Sequence, residues 1–389
     1  MNRPLLNRRL AGLGTTIFAE MSALATETGA VNLGQGFPDT DGPREVAQLA
    51  ADAILAGRGN QYPPGPGVPE LRQAIAAHQQ RFYGLGFDPD SEVLVTAGAT
   101  EAVAAALLAL VEPGDEVIAF EPYYDSYAAC IAMAGGIRVP VTLRPPDFRP
   151  DLAALRSAVT GRTRLILLNS PHNPTGSVFS RAELAEIAEL ACERDLLVVA
   201  DEVYEHMVFD GEHVPIGSLP GMRERTVSIS SAGKTFSFTG WKIGWVTASA
   251  GLVAAVRTVK QFLTYVNGGP FQYAIAEGLR MPDAYFAGIG ADLRAKRDLL
   301  CAGLAEAGFT VYPPAATYFV STDIRQLGAG DAVEFCRDLP HRAGVVAIPS
   351  AVFYDDAEAG RTQVRFAFCK QPAVLREALA RLAKAHARG

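Results

Sequence analysis

The sequence predicts an α/β protein, with a mostly parallel seven-stranded sheet in a large domain and a smaller α+β domain beside it. Three observations carry this. Between residues 92 and 250, seven strand-like runs alternate with helical stretches, the order that builds parallel sheets from βαβ units. Most of these runs are dense in Val, Ile and Leu without polar alternation, as in strands covered on both faces. Beyond residue 273 the order changes to a long helical stretch, then short strands, then a terminal helix.

The strand-like runs are 92–97, 116–120, 137–143, 164–169, 196–200, 226–230 and 243–248. Helical stretches lie between them, notably 100–111, 151–159 and 181–193. The seventh run follows the sixth after a loop without a clear helix, so it is free to run antiparallel. Residues 273–307 read as helix, interrupted or kinked near Pro282. Short strands are expected at 317–322, 345–348 and 363–368, with an Ala/Leu-rich helix from Pro372. Near the start, Phe18, Met21, Leu24 and Ala25 stand at helical spacing and are expected to pack on the smaller unit. The large domain is therefore read as 40–272, and the small one as 1–39 together with 273–389. The Pro/Gly cluster at 62–67 reads as a rigid loop.

Composition narrows the function. The chain has 389 residues, 49% hydrophobic and 20% charged, enough apolar surface for large cores. Its formal charge is −7 without a basic stripe, which argues against nucleic acid as a partner. The five cysteines (Cys130, Cys192, Cys301, Cys336, Cys369) form no C-x-x-C pair, so neither a disulfide framework nor a zinc knuckle is expected. The start, Met1 to Arg9, has cations but no apolar stretch after them. No run approaches the ~18 apolar residues of a membrane span. A cytoplasmic protein with no membrane partner is expected.

Five features carry chemistry. Lys234 follows a strand-like run in Ser-Ser-Ala-Gly-Lys (230–234), with small residues before it and Phe236 and Phe238 after it. A lysine amine held in such a pocket can condense with an aldehyde. Asp201 ends the run 196–200 and begins Asp-Glu-Val-Tyr, and Tyr204 stands three residues on. A lysine and an aspartate at the ends of neighbouring strands suit pyridoxal 5′-phosphate, whose aldehyde needs an amine and whose ring nitrogen needs an acid. Third, Asn-Ser-Pro-His-Asn-Pro-Thr-Gly (169–176) can present Asn173 rigidly between two prolines. Fourth, Thr96-Ala97-Gly98-Ala99-Thr100 joins a strand to a helix, where free N–H groups bind phosphate; Ser231 and Lys242 add a hydroxyl and a cation. Fifth, Arg365 alternates with apolar residues on a strand-like run and can grip an α-carboxylate. Each has a plainer reading alone: a surface lysine, a turn-capping aspartate, a core tyrosine, a proline turn, a capping threonine at 96 or 100, a solvent-facing arginine. Metal chemistry is not expected: His206 and His213 lie near Glu202, Glu205 and Asp210 without a ligand spacing.

Together these residues resemble the class I/II aminotransferases of pyridoxal phosphate fold type I. The resemblance covers about residues 8–370. It is carried by Ser-Ala-Gly-Lys-Thr-Phe-Ser-Phe-Thr-Gly-Trp-Lys-Ile-Gly-Trp (231–245), Val-Asn-Leu-Gly-Gln-Gly-Phe-Pro-Asp (31–39), Asn60-Gln61-Tyr62 and the segment 171–176. These fit the branch of kynurenine/glutamine, methionine-type and actinobacterial N-succinyldiaminopimelate aminotransferases. The resemblance implies pyridoxal 5′-phosphate bound by Lys234 as a Schiff base, with Asp201 on the ring nitrogen and Tyr204 and Asn173 on its 3′-oxygen. It implies Tyr124 stacked on the ring, with Gly98, Ala99, Thr100, Ser231 and Lys242 at the phosphate. Tyr62 would reach the phosphate of the neighbouring subunit, so a homodimer with shared sites is expected. Gly36 and Arg365, with Asn173 and Phe18 nearby, would hold the substrate.

The implied reaction moves an α-amino group from an amino acid to a 2-oxo acid, 2-oxoglutarate foremost. Similarity around 18–24 and 60–67 points to N-succinyl-LL-diaminopimelate as donor, in lysine biosynthesis. The alternatives are a broad glutamine/methionine/kynurenine-type transaminase and a cysteine-conjugate β-lyase. The chain departs from relatives in having Lys242 where aspartate aminotransferases carry arginine, and Asn267-Gly268-Gly269 where kynurenine enzymes carry an aromatic pair.

Overall fold

The computed structural model describes residues 5–11, 14 and 16–386; part of the basic start and the last three residues lie outside this set. Thirteen strands are described: β1 (Val31–Asn32), β2 (Val93–Thr96), β3 (Glu116–Glu121), β4 (Ile137–Thr142), β5 (Thr163–Asn169), β6 (Leu197–Asp201), β7 (Thr226–Ser231), β8 (Gly244–Thr247), β9 (Thr310–Tyr312), β10 (Phe319–Asp323), β11 (Val345–Val346), β12 (Ile348–Pro349) and β13 (Gln363–Ala367). Seven of them form one sheet in the order β2-β8-β7-β6-β5-β3-β4. Only β8 runs against its neighbours, β7 and β2, as the missing crossover helix before it allows.

Strand residues alternate between two cores. Val117, Ala119, Leu165, Leu167 and Val199 face helices Gly98–Leu110 and Asp125–Ala134. Ile118, Phe120, Ile166, Leu168 and Val198 face the opposite side and helix Arg181–Glu193. Both faces are dry, which is why these strands read as unbroken apolar runs. The helix Arg181–Glu193 opens with a capping box, Ser180 and Glu183 each bonding the other's backbone N–H.

A four-stranded antiparallel sheet, β12-β13-β10-β9, forms a second layer. The expected strand at 345–348 is two: β11 pairs with β1, and β12 joins β13. The expected helix at 273–307 is two helices, Gly269–Gly278 and Asp283–Glu306, parted at Pro282. The N-terminal helix Ile17–Thr28 buries Met21 and Ala25 in the core of that second layer. Sequence reading did not single out helices Arg44–Leu55, Pro69–Tyr83 and Ala332–Ala343, or strands β1 and β9. Two-residue β1 is too short to leave a periodic signal.

Candidate active site

Strand direction assembles the site. Because β2, β3, β5, β6 and β7 all point the same way, the residues after them share one edge of the sheet, where open α/β sheets bind ligands. Those residues are Gly98, Tyr124, Asn173, Asp201 with Tyr204, and Ser231 with Lys234. Reversed β8 brings Lys242, just before its start, to the same edge. A cavity of about 390 Å³ lies there. Lys234, Asp201, Tyr204, Gly98, Ala99, Thr100, Tyr124, Asn173, Ser231, Lys242, Gly36, Arg365 and Phe18 all line it. Tyr62 does not: it is 81% exposed on a separate face, edge-on to Tyr265.

Lys234 stands on a short helix, Ala232–Thr235, directly after β7. Its Nζ donates to Tyr318 Oη at 2.7 Å, and Tyr318 Oη donates to the Gly36 carbonyl at 2.6 Å. Burial pushes the amine down to about 8, with Cys369 and Asp201 opposing and Arg365 and Lys242 adding to the shift. Asp201 is buried at the end of β6. Its Oδ2 accepts from Tyr127 Oη at 2.6 Å. Burial raises its pKa, and the Tyr127 hydroxyl, the Val203 N–H and the Lys234 charge work against that rise. Tyr204, also raised by burial, lies edge-on to Tyr318.

The loop after β5 is pinned by Asn169. Its amide donates to the Asp201 and Pro171 carbonyls, and its Oδ1 accepts from the Asn173 N–H at 2.8 Å. Across the cavity, helix Gly98–Leu110 begins at Ala97 with no side-chain cap. The capping alternative at Thr96 or Thr100 therefore does not apply. Instead Thr96 donates to the Gly98 carbonyl, and Thr100 lines the cavity beside Tyr124. Gly98 has φ +77°, and a Cβ there would meet Lys242 Nζ at 3.3 Å. Gly244 lets β8 close on this turn, since a Cβ there would lie 2.6 Å from the Gly98 carbonyl carbon. The result is a cradle of free N–H groups at a helix start beside a cation, which suits a phosphate.

Arg365 is not solvent-facing. It is 1% exposed, with its guanidinium 4.1 Å from the Phe319 ring centre, 5.0 Å from Phe353 and 5.2 Å from Phe18. It donates to Asn173 Oδ1 at 3.2 Å and to the Gly34 carbonyl at 2.9 Å. Its Nε–H is buried and, among the described residues, has no partner. Burial lowers its pKa to about 10, still cationic at neutral pH.

Sequence reading missed Tyr127, Tyr318 and Phe319, and gave Asn169 no role. Tyr127 stands in the first turn of helix Asp125–Ala134, three residues after its extended N-cap Tyr124, and the two rings meet edge-on at 5.8 Å. Tyr318 had no such local signal. Among the other polar residues noted in the sequence, Asp210 pairs with Arg294 and Arg297, while His213 approaches Glu202 at 4.0 Å.

A lysine amine and a buried aspartate facing one cavity, with an anion cradle between strand and helix, define an amino-group-transfer site on an open α/β sheet. The chain belongs to the class I and II aminotransferases, whose family pattern matches residues 28–382. It is 55% identical over 385 residues to a protein of Mycobacterium tuberculosis named probable N-succinyldiaminopimelate aminotransferase, covering 96% of this chain and 97% of that one. It is 43% identical to a methionine aminotransferase of Escherichia coli, covering 98% and 99%. The solved structure of N-succinyldiaminopimelate aminotransferase from M. tuberculosis superposes with TM-score 0.96 over 98% of this chain and 100% of that one, at 55% identity. Among the described residues no helix is long and apolar enough to cross a membrane.

Proposed function

We propose that the chain is a pyridoxal 5′-phosphate-dependent aminotransferase that passes the amino group of N-succinyl-LL-diaminopimelate to 2-oxoglutarate, yielding glutamate and the matching 2-oxo acid. The observation that carries the chemistry is the convergence of Lys234 and Asp201 on one cavity beside the uncapped helix start at Gly98. These residues fit the cofactor: cradle and Lys242 for the phosphate, Asp201 for the ring nitrogen, Asn173 and Tyr204 for the 3′-oxygen, Tyr124 for the ring face, Lys234 for the aldehyde. When bound, it supplies an aldehyde that takes up the amino group and a ring that accepts the electron pair left by the α-proton.

The protein's own part is positioning and proton transfer. A Lys234 amine near 8 is partly neutral at physiological pH, so Nζ can take the α-proton and hand it back. Tyr318 keeps Nζ in the cavity through its 2.7 Å bond. Tyr127 fixes the carboxylate of Asp201. Arg365 gives one N–H each to Asn173 and the Gly34 carbonyl, so its terminal nitrogens retain further N–H groups for an α-carboxylate. Phe18, on the N-terminal helix, lines the cavity and gives it an apolar wall beside Arg365. A homodimer follows from the same reading: Tyr62, Phe262, Leu263 and Tyr265 are exposed apolar residues, and a second copy covering them would let Tyr62 reach the partner's phosphate cradle.

One observation favours a second reading. The cavity's cations are Lys234, Lys242 and Arg365, all with roles above, so one subunit offers no further cation for a distal carboxylate. Phe18, Phe37 and Phe319 line it instead. A broad transaminase of methionine-like or aromatic donors matches that wall.

The deciding experiment is an absorbance titration of holoenzyme against single amino acids without any 2-oxo acid. Bleaching of the cofactor's visible band by succinyldiaminopimelate and by glutamate, at low concentration, is expected. Response only to glutamine, methionine or kynurenine selects the second reading. Pyruvate and ammonia from a cysteine conjugate, with no response to any donor, would replace transamination by β-elimination.

A further inference from the structure

Outside the cavity lies a second cluster of ligating side chains. His78, on helix Pro69–Tyr83, meets Glu205 and His206, just beyond the end of β6. We propose that His78, His206 and Glu205 form a binding site for one divalent transition-metal ion of the zinc, cobalt or nickel class, which fastens that helix to the segment bearing Asp201 and Tyr204.

The geometry is convergent. One ligating atom from each residue lies within 4.8 Å of the other two. The two Nε2 atoms are 2.7 Å apart, on rings inclined at 82°. His78 is 2% exposed, and among the described residues its Nδ1 has no partner, so the ring's polar engagement there is through Nε2 toward His206. Phe82 and Phe286 pack on both imidazoles and hold their planes. Glu205 is buried and its Oε1 accepts from the Ser230 hydroxyl. Ligating carboxylates are oriented by such outer partners.

Charge points the same way. Glu202 and Glu205 are both buried, and among the described residues neither pairs with a lysine or arginine. Carboxylates in an apolar shell need a proton or a cation. Two imidazole nitrogens and one carboxylate oxygen suit a zinc-like ion, whereas magnesium and calcium favour all-oxygen sets. Bonds of ~2.0–2.1 Å at tetrahedral angles set two nitrogens about 3.3 Å apart. That asks for a shift of about half an ångström, which half-buried His206 can make. A water molecule would complete the coordination.

The test uses untagged holoenzyme, stripped with a chelator and dialysed against cobalt(II) or zinc(II). One ion per chain is expected, with the visible ligand-field absorption of tetrahedral cobalt and a higher melting temperature. His206→Gln and Glu205→Gln should each weaken uptake at least ~10–100-fold, the range already seen for outer-shell losses. His341→Gln, exposed on helix Ala332–Ala343, should leave it unchanged. No uptake by stripped protein, or equal uptake by wild type and both variants, overturns the proposal. If Glu205→Gln does not fold, His206→Gln decides alone.

Discussion

Replacing Arg365 by lysine probes the proposed substrate grip most directly. The guanidinium is held from two sides, by Asn173 Oδ1 and the Gly34 carbonyl, and sits among three phenylalanine rings. The residue lines the cavity, where its terminal nitrogens keep N–H groups beyond these two bonds. A carboxylate arriving there takes two parallel N–H bonds from a planar fork. Lysine keeps the charge but not the fork, so one charge-assisted bond to the substrate is lost. Such a bond contributes ~1.5–3 kcal/mol, which corresponds to a roughly 10–150-fold rise in KM with kcat little changed. Lost stacking on Phe319 acts on free and loaded protein alike, and so lowers stability rather than KM. The assay compares an amino acid donor with the amine that has the same side chain and no carboxylate. The loss should be confined to the carboxylated donor. An equal loss for both, or an unchanged KM, would place the carboxylate elsewhere.

Six further outcomes are expected. Lys234→Ala should abolish turnover and Asp201→Ala should leave cofactor bound with very slow chemistry; wild-type rates in either variant would refute the assigned role. In cofactor-free protein, Lys234 should lose its proton near pH 8 rather than the usual lysine value of about 10.4, so its acylation rate should level off above 8. Burial penalises the charged amine, so apoprotein stability should rise between pH 8 and about 10.5, and a flat melting profile there would contradict it. Gly98→Ala forces an L side chain to φ +77°, at a cost of ~1–2 kcal/mol, and should be read as weaker cofactor retention on gel filtration. Mixed dimers of Lys234→Ala and Tyr62→Ala chains should regain one working site if Tyr62 serves the partner; activity no higher than in the parents would show that it does not.

Much of this site is legible along the chain because a parallel sheet converts sequence order into position. Each crossover returns the chain to the same edge, so Gly98, Asn173, Asp201 and Lys234, each just after a strand-like run, had to meet. Arg365 was half legible. Alternation placed it on a strand, but not which face was buried. The answer came from the packing of Phe18, Phe319 and Phe353, which lie far apart in sequence.

By itself, then, the sequence determined the α/β class, the reversed eighth strand as an allowed option, the catalytic lysine and aspartate candidates, and the strand–helix turn proposed to hold phosphate. All rest on local patterns: runs of apolar residues, a glycine at a strand–helix junction, prolines bracketing an asparagine. Only the tertiary structure decided which hydroxyls tune them. Tyr127 reaches Asp201 across 74 positions, Tyr318 reaches Lys234 across 84, and His78 meets His206 across 128. Contacts over such separations depend on how helices dock on the sheet, through side-chain packing that leaves no periodic trace in the chain.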